Sequence, residues 1–258
     1  PKIKFEHDFI MITICEGIMR ILSFIYYLIT SFRNFLYDKG ILPAKKVSDV
    51  EVICIGNITV GGTGKTPAVQ YFTKKLQKMG RKVAVVSRGY RGKRKREPLL
   101  VSDGREIFAT TRESGDEPFI HALNLKVPVI VSSNRYKGCL FAKKHFGVDT
   151  IVLDDGFQHR KLSRDRDIVL IDATNPFGWG ELLPKGMLRE DFKKAAKRAS
   201  EFIITKSDLV SDREVERIKK YLRKKLEKEV STAKHGVTSL CDLKGNPNDN
   251  LEEVTENR

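Results

Sequence analysis

Residues 9–37 form the most apolar stretch of the chain, and only Glu16, Arg20 and Arg33 place charges in it. Its longest uncharged run, 21–32, has 12 residues, well short of the roughly 20 that a membrane-crossing helix requires. Glu16, Arg20, Ser23, Tyr27, Ser31 and Asn34 recur every three or four residues, which puts them on one narrow helical stripe with aliphatic and aromatic side chains around the rest. The pattern predicts a helix that lies in a membrane interface without spanning it, with a buried core helix as the alternative. A signal peptide fits less well, because charges sit inside the segment and no small-residue cleavage site follows.

Beyond residue 40 the rhythm changes. Short β-branched runs at 52–55, 83–86, 127–131, 151–153, 168–171 and 202–204 read as strands buried on both faces. Helical segments are expected between them at 67–79, 117–125, 136–146 and 189–199; the first has Pro67 in its opening turn and Gly80 after its end. Repetition of this βα unit predicts an α/β fold of the P-loop NTPase type, a mainly parallel sheet flanked by helices, with ligands at the carboxyl ends of the strands. The Asp103-Gly104 pair between two apolar arms, 99–108, adds a small β-hairpin excursion. Ser211 and Glu214 form a capping box ahead of Val215, Ile218, Leu222, Leu226 and Val230 at helical spacing. The expected organisation is an interfacial helix over 1–40, a core over 41–245 and a polar tail over 246–258.

Forty-eight basic against 33 acidic residues give a net charge of +15, a bias toward anionic partners such as nucleotides or phospholipids. No nucleic-acid-binding module accompanies that charge, and nucleic acid is not an expected partner. The pattern carries no signal for oligomeric state. The four cysteines, Cys15, Cys54, Cys139 and Cys241, are scattered without zinc or disulfide spacing, which fits a reducing cytosolic setting.

The strongest chemical signal is the run Thr59, Val60, Gly61, Gly62, Thr63, Gly64, Lys65 and Thr66, placed between the first strand and the first crossover helix. Glycines let backbone amides converge on phosphate oxygens, the helix N-terminus adds partial positive charge, Lys65 reaches the β- and γ-phosphates, and Thr66 offers a hydroxyl to Mg²⁺. The strict motif has glycine where Thr59 stands. Downstream, a strand ends on Asp154 and Asp155, either of which suits Mg²⁺ or its waters. Asp116 and Glu117 open a helix; Asp116 is either the acceptor of a proton from an attacking hydroxyl or an N-cap. Arg88 and Arg135 follow strand ends on the ligand edge, whereas 93–96 reads as a solvated basic loop. Thr205, Lys206, Ser207 and Asp208 are similar to the tetrad with which many GTPases read guanine, which keeps a GTPase or metallochaperone-like alternative open.

Taken in order, Gly56-Asn57, 61–67, 87–90, 115–118, 135–138, 154–160, 167–172 and 182–190 closely resemble the tetraacyldisaccharide 4'-kinase family over about residues 10 to 245. The resemblance implies an ATP- and Mg²⁺-dependent enzyme on the cytoplasmic face of the bacterial inner membrane, peripheral or monotopic. It would phosphorylate the 4'-hydroxyl of a tetraacyldisaccharide 1-phosphate to give lipid IVA, with the lipid A precursor as partner and the anionic membrane surface met through 9–37. It makes Asp116 the base or its partner, with Lys65 and Asp155 also catalytic, and Glu117, Asp154, Asp155 and Thr66 organising the metal. Asn57, Arg88, Arg135, Gln158 and His159 fall on the substrate side. Family chains continue past the 240–245 segment into a portion with an Asp-His-His-type motif, whose histidine works with the catalytic aspartate. This chain ends at Arg258 without that motif, so a truncated C-terminal portion is expected. A non-catalytic, membrane-bound nucleotide sensor is the remaining alternative.

Overall fold

The protein is described by a computed structural model that covers residues 2–94 and 96–234, with side chains from Thr13 onward except that of Lys225, together with the backbone of two later two-residue strands. In chain order its elements are α1 (Lys2–Asp38), β1 (Glu51–Asn57), α2 (Lys65–Lys78), β2 (Val83–Ser87), β3 (Leu99–Asp103), α3 (Thr111–Ser114), α4 (Asp116–Asn124), β4 (Pro128–Val131) and α5 (Arg135–Phe146). They continue as β5 (Thr150–Asp154), β6 (Arg166–Asp172), α6 (Phe192–Arg198), β7 (Glu201–Thr205), α7 (Asp212–Leu226), β8 (Glu229–Thr232), β9 (Leu240–Cys241) and β10 (Pro247–Asn248). The last two pair antiparallel, and the tail beyond them lies outside the described residues.

Strands β1 to β8 make one sheet in the order β3-β4-β2-β5-β1-β6-β7-β8, parallel throughout except for the antiparallel β3–β4 edge. Each inner strand sends alternate side chains to opposite faces, as the pleat demands. Val52, Cys54, Ala84, Val86, Ile151 and Leu153 join a core with Cys139, Ala195, Ile218 and Leu222, under α5, α6 and α7. Ile53, Ile55, Val83, Val85 and Val152 pack with Val69 and Ala122, under α2 and α4. Every such aliphatic side chain removed from water contributes about 1.5–3 kcal/mol, which is why these β-branched runs carry no polar alternation. The chain leaves central β1 and later returns on both sides of it, at β5 and β6, so the crevice beyond the carboxyl end of β1 is the switch point where ligands of such sheets bind.

The edges of three expected elements take a definite form, and two of them, the end of α7 and the start of α6, differ from the expectation. The 99–108 excursion is a small hairpin whose first arm, β3, also pairs with β4, while its short second arm is held by the Ser102–Ile107 bridge and by the Phe108 amide on the Val101 carbonyl at 2.8 Å. Its turn centres on Gly104-Arg105, with Asp103 Oδ1 accepting from the amides of Arg105 and Glu106 at 2.8 Å. Helix α7 stops at Leu226 because Glu227 turns left-handed at φ 52°, and Val230 belongs to β8, opposite Phe202. Helix α6 begins late because Asp191 caps it, accepting from the Lys194 amide at 2.8 Å, and this leaves Arg189 and Glu190 outside the helix, in a bend.

Helix α1 is long as expected, but from Ser23 onward its polar stripe faces the protein, while Glu16 and Arg20 stay exposed and pair with each other. Ser23, Thr30 and Asn34 are buried against the body, while Ile18, Ile21, Leu22, Phe24, Ile25, Leu28, Ile29, Phe32 and Phe35 are exposed. Ser23 Oγ donates to the Leu182 carbonyl at 3.0 Å, Tyr26 Oη to that of Arg189 at 2.8 Å, and Asn34 Nδ2 to Glu190 Oε2 at 2.7 Å. Its 26 residues from Thr13 to Asp38 have the length and composition of a membrane span, yet this docking ties one side of the helix to the sheet domain.

Gly56 is a packing requirement. A Cβ there would stand 2.6 Å from Phe157 Cβ and 3.2 Å from its backbone nitrogen, whereas one at Gly62 would meet nothing within 4 Å. Gly56→Ala is expected to cost about 1–3 kcal/mol through overpacking, lowering Tm by roughly 2–10 °C. Gly62→Ala should leave Tm within about 1–2 °C of the parent, with both read by thermal unfolding without nucleotide.

Candidate functional site

The loop 59–66 is clamped from three sides before any ligand arrives. Asn57 Nδ2 donates to Thr63 Oγ1 at 2.9 Å, Thr205 Oγ1 donates to the Thr63 carbonyl at 3.0 Å, and the Val60 amide donates to Met187 O at 2.8 Å. The left-handed positions are Gly61 (φ 111°) and Gly64 (φ 79°). Thr59 is not one of them and bridges Leu188 as extended backbone, which explains how threonine replaces the usual glycine. Gly64 caps α2, and the first-turn amides of Lys65 and Thr66 have no acceptor within the helix, the arrangement that binds phosphate.

Around this loop the structure brings four carboxylates together. Asp155 follows β5 at φ 50° with its amide on the Ile55 carbonyl at 3.0 Å. Its oxygens accept from Arg189 Nη1 at 3.0 and 3.2 Å, and the buried Lys65 Nζ lies 4.0 Å away. Asp154 is buried, and Oδ2 is held by Ser87 Oγ at 3.2 Å and by His121 Nε2 at 3.3 Å, while Oδ1 has no protein partner. Asp116 is the first residue of α4, whose cap position is taken by Gly115, so the capping alternative falls away. Asp116, Glu117, Asp155, Lys65, Arg88 and Arg189 border one cleft of about 920 Å³. Crowding by the walls of the cleft, then the charges of Asp154 and Asp155, push the Glu117 carboxyl above its usual range against the pull of Lys65 and His121.

The wall carrying Arg88 is built by close approach. A Cβ at Gly92 would stand 2.4 Å from the Glu113 carbonyl, and one at Gly115 (φ 87°) 2.6 Å from that of Tyr90. Arg94 is not the solvated side chain expected of 93–96: its Nε donates to Glu97 at 2.7 Å and Nη1 to the Gly89 carbonyl at 3.1 Å, pinning the loop.

Not every expected site residue faces the cleft. Asn57 is fully buried and its amide is used on the loop, and Gln158 Nε2 donates to the Asn57 carbonyl at 2.9 Å and to Glu190 at 3.3 Å. Both hold the loop from behind. Arg135 is buried, with Nη1 on the Ser133 carbonyl at 3.1 Å; burial and the charge of Arg88 lower its pKa, while Asp155 and Asp154 raise it. His159 is pushed down to about 4 by burial and then by Arg135, Arg164, Lys161 and Arg88, so its ring is neutral near pH 7, and its Nε2 is buried without a protein partner. In the guanine-type tetrad, Lys206 pairs with Asp172 and Thr205 supports the loop.

Among the described residues no three His, Cys, Asp or Glu side chains converge to cage a metal. Mg²⁺ takes one or two carboxylates and completes its shell with phosphates and water. The unpartnered Asp154 Oδ1 and the raised Glu117 are the donor and the excess negative charge such an ion would answer. Sequence reasoning missed His121 and the part played by Arg189. The Glu117–His121 spacing of four on one helix was a signal for the first; nothing local announced the second, 34 positions from Asp155.

The tetraacyldisaccharide-1-P 4'-kinase family matches residues 15–255. The chain is 45% identical over 213 residues to the tetraacyldisaccharide 4'-kinase of Halothermothrix orenii, covering 80% of this chain and 55% of that protein. It is 42% identical over 207 residues to the enzyme of that name from Elusimicrobium minutum, covering 79% and 54%. The chain thus spans about half the length of these curated relatives. Among solved structures, LpxK from Aquifex aeolicus, crystallised in complex with ATP, superimposes with a TM-score of 0.69 at 32% identity, over 86% of this chain and 82% of that one.

Because His159 resists protonation in the folded state, it contributes stability that is complete above the unfolded value near 6.5 and is lost as pH falls toward about 4. An NMR titration should find this ring titrating near pH 4, and His159→Gln should flatten the loss of Tm between those pH values.

Proposed function

We propose, starting from a chain that belongs to the tetraacyldisaccharide-1-P 4'-kinase family, that this protein transfers the γ-phosphoryl group of ATP to the 4'-hydroxyl of a tetraacylated disaccharide 1-phosphate at a membrane surface. The observation that carries the reading is the shared cleft, in which the phosphate-loop Lys65 and the helix-start Asp116 face the same space as Asp155 and Arg189. Phosphoryl transfer asks mainly for positioning and charge neutralisation, and this set supplies both.

Lys65 and the amides of the α2 start hold the β- and γ-phosphates. Arg189 keeps Asp155 oriented toward Lys65. Asp116 accepts the proton of the sugar hydroxyl as the new phosphate ester forms, and Arg88, on the wall of the cleft, draws the anionic parts of the substrate to the sheet edge. Asp154 and Asp155, with Glu117 and the Thr66 hydroxyl, are the residues that would hold Mg²⁺, which when bound neutralises charge across the phosphate oxygens. The exposed apolar side of α1 supports attachment to the cytoplasmic face of the inner membrane, where the acyl chains stay in the bilayer while the sugar reaches the cleft. The pairing of Lys206 with Asp172 gives the guanine-reading alternative no support of its own.

Lys65→Ala should reduce turnover at least about 100-fold. Asp116→Ala should lower kcat by about 10²–10⁴ while direct binding leaves the ATP Kd within about twofold; an equal loss of ATP affinity would remove Asp116 as the base. Replacing Ile29 and Phe32 by Ser should weaken partition to vesicles containing phosphatidylglycerol by at least roughly tenfold, as measured by flotation. Unchanged partition would sink the role of α1.

A further inference from the structure

Residues Gly178–Gly180 form a tip of three consecutive left-handed positions, Gly178 at φ 54°, Trp179 at 62° and Gly180 at 74°. For a bulky side chain this is strained backbone, costing on the order of 1 kcal/mol or more. The ring gains nothing in return within the fold, because Trp179 is 74% exposed. Its mount is nevertheless rigid. The Trp179 amide donates to Asn175 Oδ1 at 3.2 Å, Gly180 N to the Phe177 carbonyl at 2.8 Å, and Met187 N to the Gly178 carbonyl at 3.2 Å. Phe177 is anchored edge-on between Phe192 and Tyr221, each at 5.1 Å.

The same segment is bolted to α1, since Ser23 Oγ donates to the Leu182 carbonyl and accepts from the Lys185 amide, both at 3.0 Å. An open groove of about 780 Å³ runs between them, with Phe24 and Gly180 on its walls, Arg20, Lys185 and Lys193 as its cations and Glu181 and Asp191 as its carboxylates, Glu181 pairing with Lys185 at 2.9 Å. An exposed indole joined to an apolar helix face and bordered by cations matches the interfacial layer of a bilayer, where tryptophan is enriched and basic groups meet anionic headgroups. We propose that Trp179 is a second membrane contact, inserting beside α1 into a surface containing anionic lipid. The proposal rests on the membrane-attached reading of α1. Because Gly178 packs against Thr59 of the phosphate loop, two anchors would fix how far that loop stands from the lipid surface.

Trp179 is the only tryptophan in the chain, so its fluorescence reports on this site alone. With vesicles of phosphatidylethanolamine and phosphatidylglycerol, its emission should move to shorter wavelength and be quenched by brominated acyl chains. Trp179→Gly, which suits the left-handed backbone, should keep or raise Tm yet bind vesicles about fivefold to tenfold more weakly, and Trp179→Phe should restore most of the loss. Protein that floats with vesicles while its emission stays unchanged overturns the proposal and leaves α1 as the anchor. Protein that does not float at all defeats the membrane reading itself. Emission that responds to Mg²⁺–ATP or to the disaccharide, and not to vesicles, overturns the proposal in favour of ring stacking on a ligand.

Discussion

The ion pair between Arg189 and Asp155, facing the Lys65 ammonium, is the interaction on which the rest of the site depends. A lysine buried at the start of a helix and an aspartate held at positive φ are each costly in isolation. Together with Arg189 they compensate one another, and the compensation draws three distant stretches of chain to one point. The irregular 182–190 segment must then run past the loop 59–66, where it supplies the Met187 carbonyl to Val60 and the Leu188 bridge to Thr59. Helix α6 starts only at Phe192, behind its Asp191 cap, so Arg189 stays on this non-helical segment.

Helix α1 solves a related problem with inverted polarity. A water-soluble amphipathic helix turns its apolar side inward; here Ser23, Tyr26, Thr30 and Asn34 face the protein and the apolar side faces out. Directional hydrogen bonds fix its rotation, and Asn34 ends on Glu190, which also accepts from Arg198 at 2.8 Å. The residue that receives the helix is thus the neighbour of the arginine that orients Asp155. The docking of α1 and the clamping of the loop 59–66 share one strip of chain, 182–190, and moving one against the other would break buried hydrogen bonds.

The parallel sheet was legible because strands buried on both faces leave unbroken β-branched runs, and each of the six expected runs became a strand. The loop between β1 and α2 was legible for the same reason of locality, since its glycines and the helix start are written in eight consecutive residues, with Gly61 and Gly64 taking the left-handed positions. Val230 misled because its spacing continues the apolar series of α7, and only the unfilled edge beside Phe202 makes it a strand. The docking side of α1 was hidden for a different reason. A stripe of polar residues reads the same whether it meets water or a protein surface, and the difference lies in partners more than 150 positions away at Leu182, Arg189 and Glu190. Asn57 and Gln158 were found as polar residues near the site, but their direction needed the register of β1 against β5.

His121 shows how the fold turns a local motif into fixed geometry. It lies on the same short helix as Asp116 and Glu117, with its ring fully buried against Asp154. Helix α4 therefore has its acidic end in the cleft and its later turn tied to the carboxyl end of β5. Displacing the acidic end would strip Asp154 of one of its two hydrogen-bond partners in a dry environment, a cost of about 1–3 kcal/mol. The candidate base and the candidate metal aspartate are held at one separation by that buried contact, which is what a transfer reaction dependent on alignment requires.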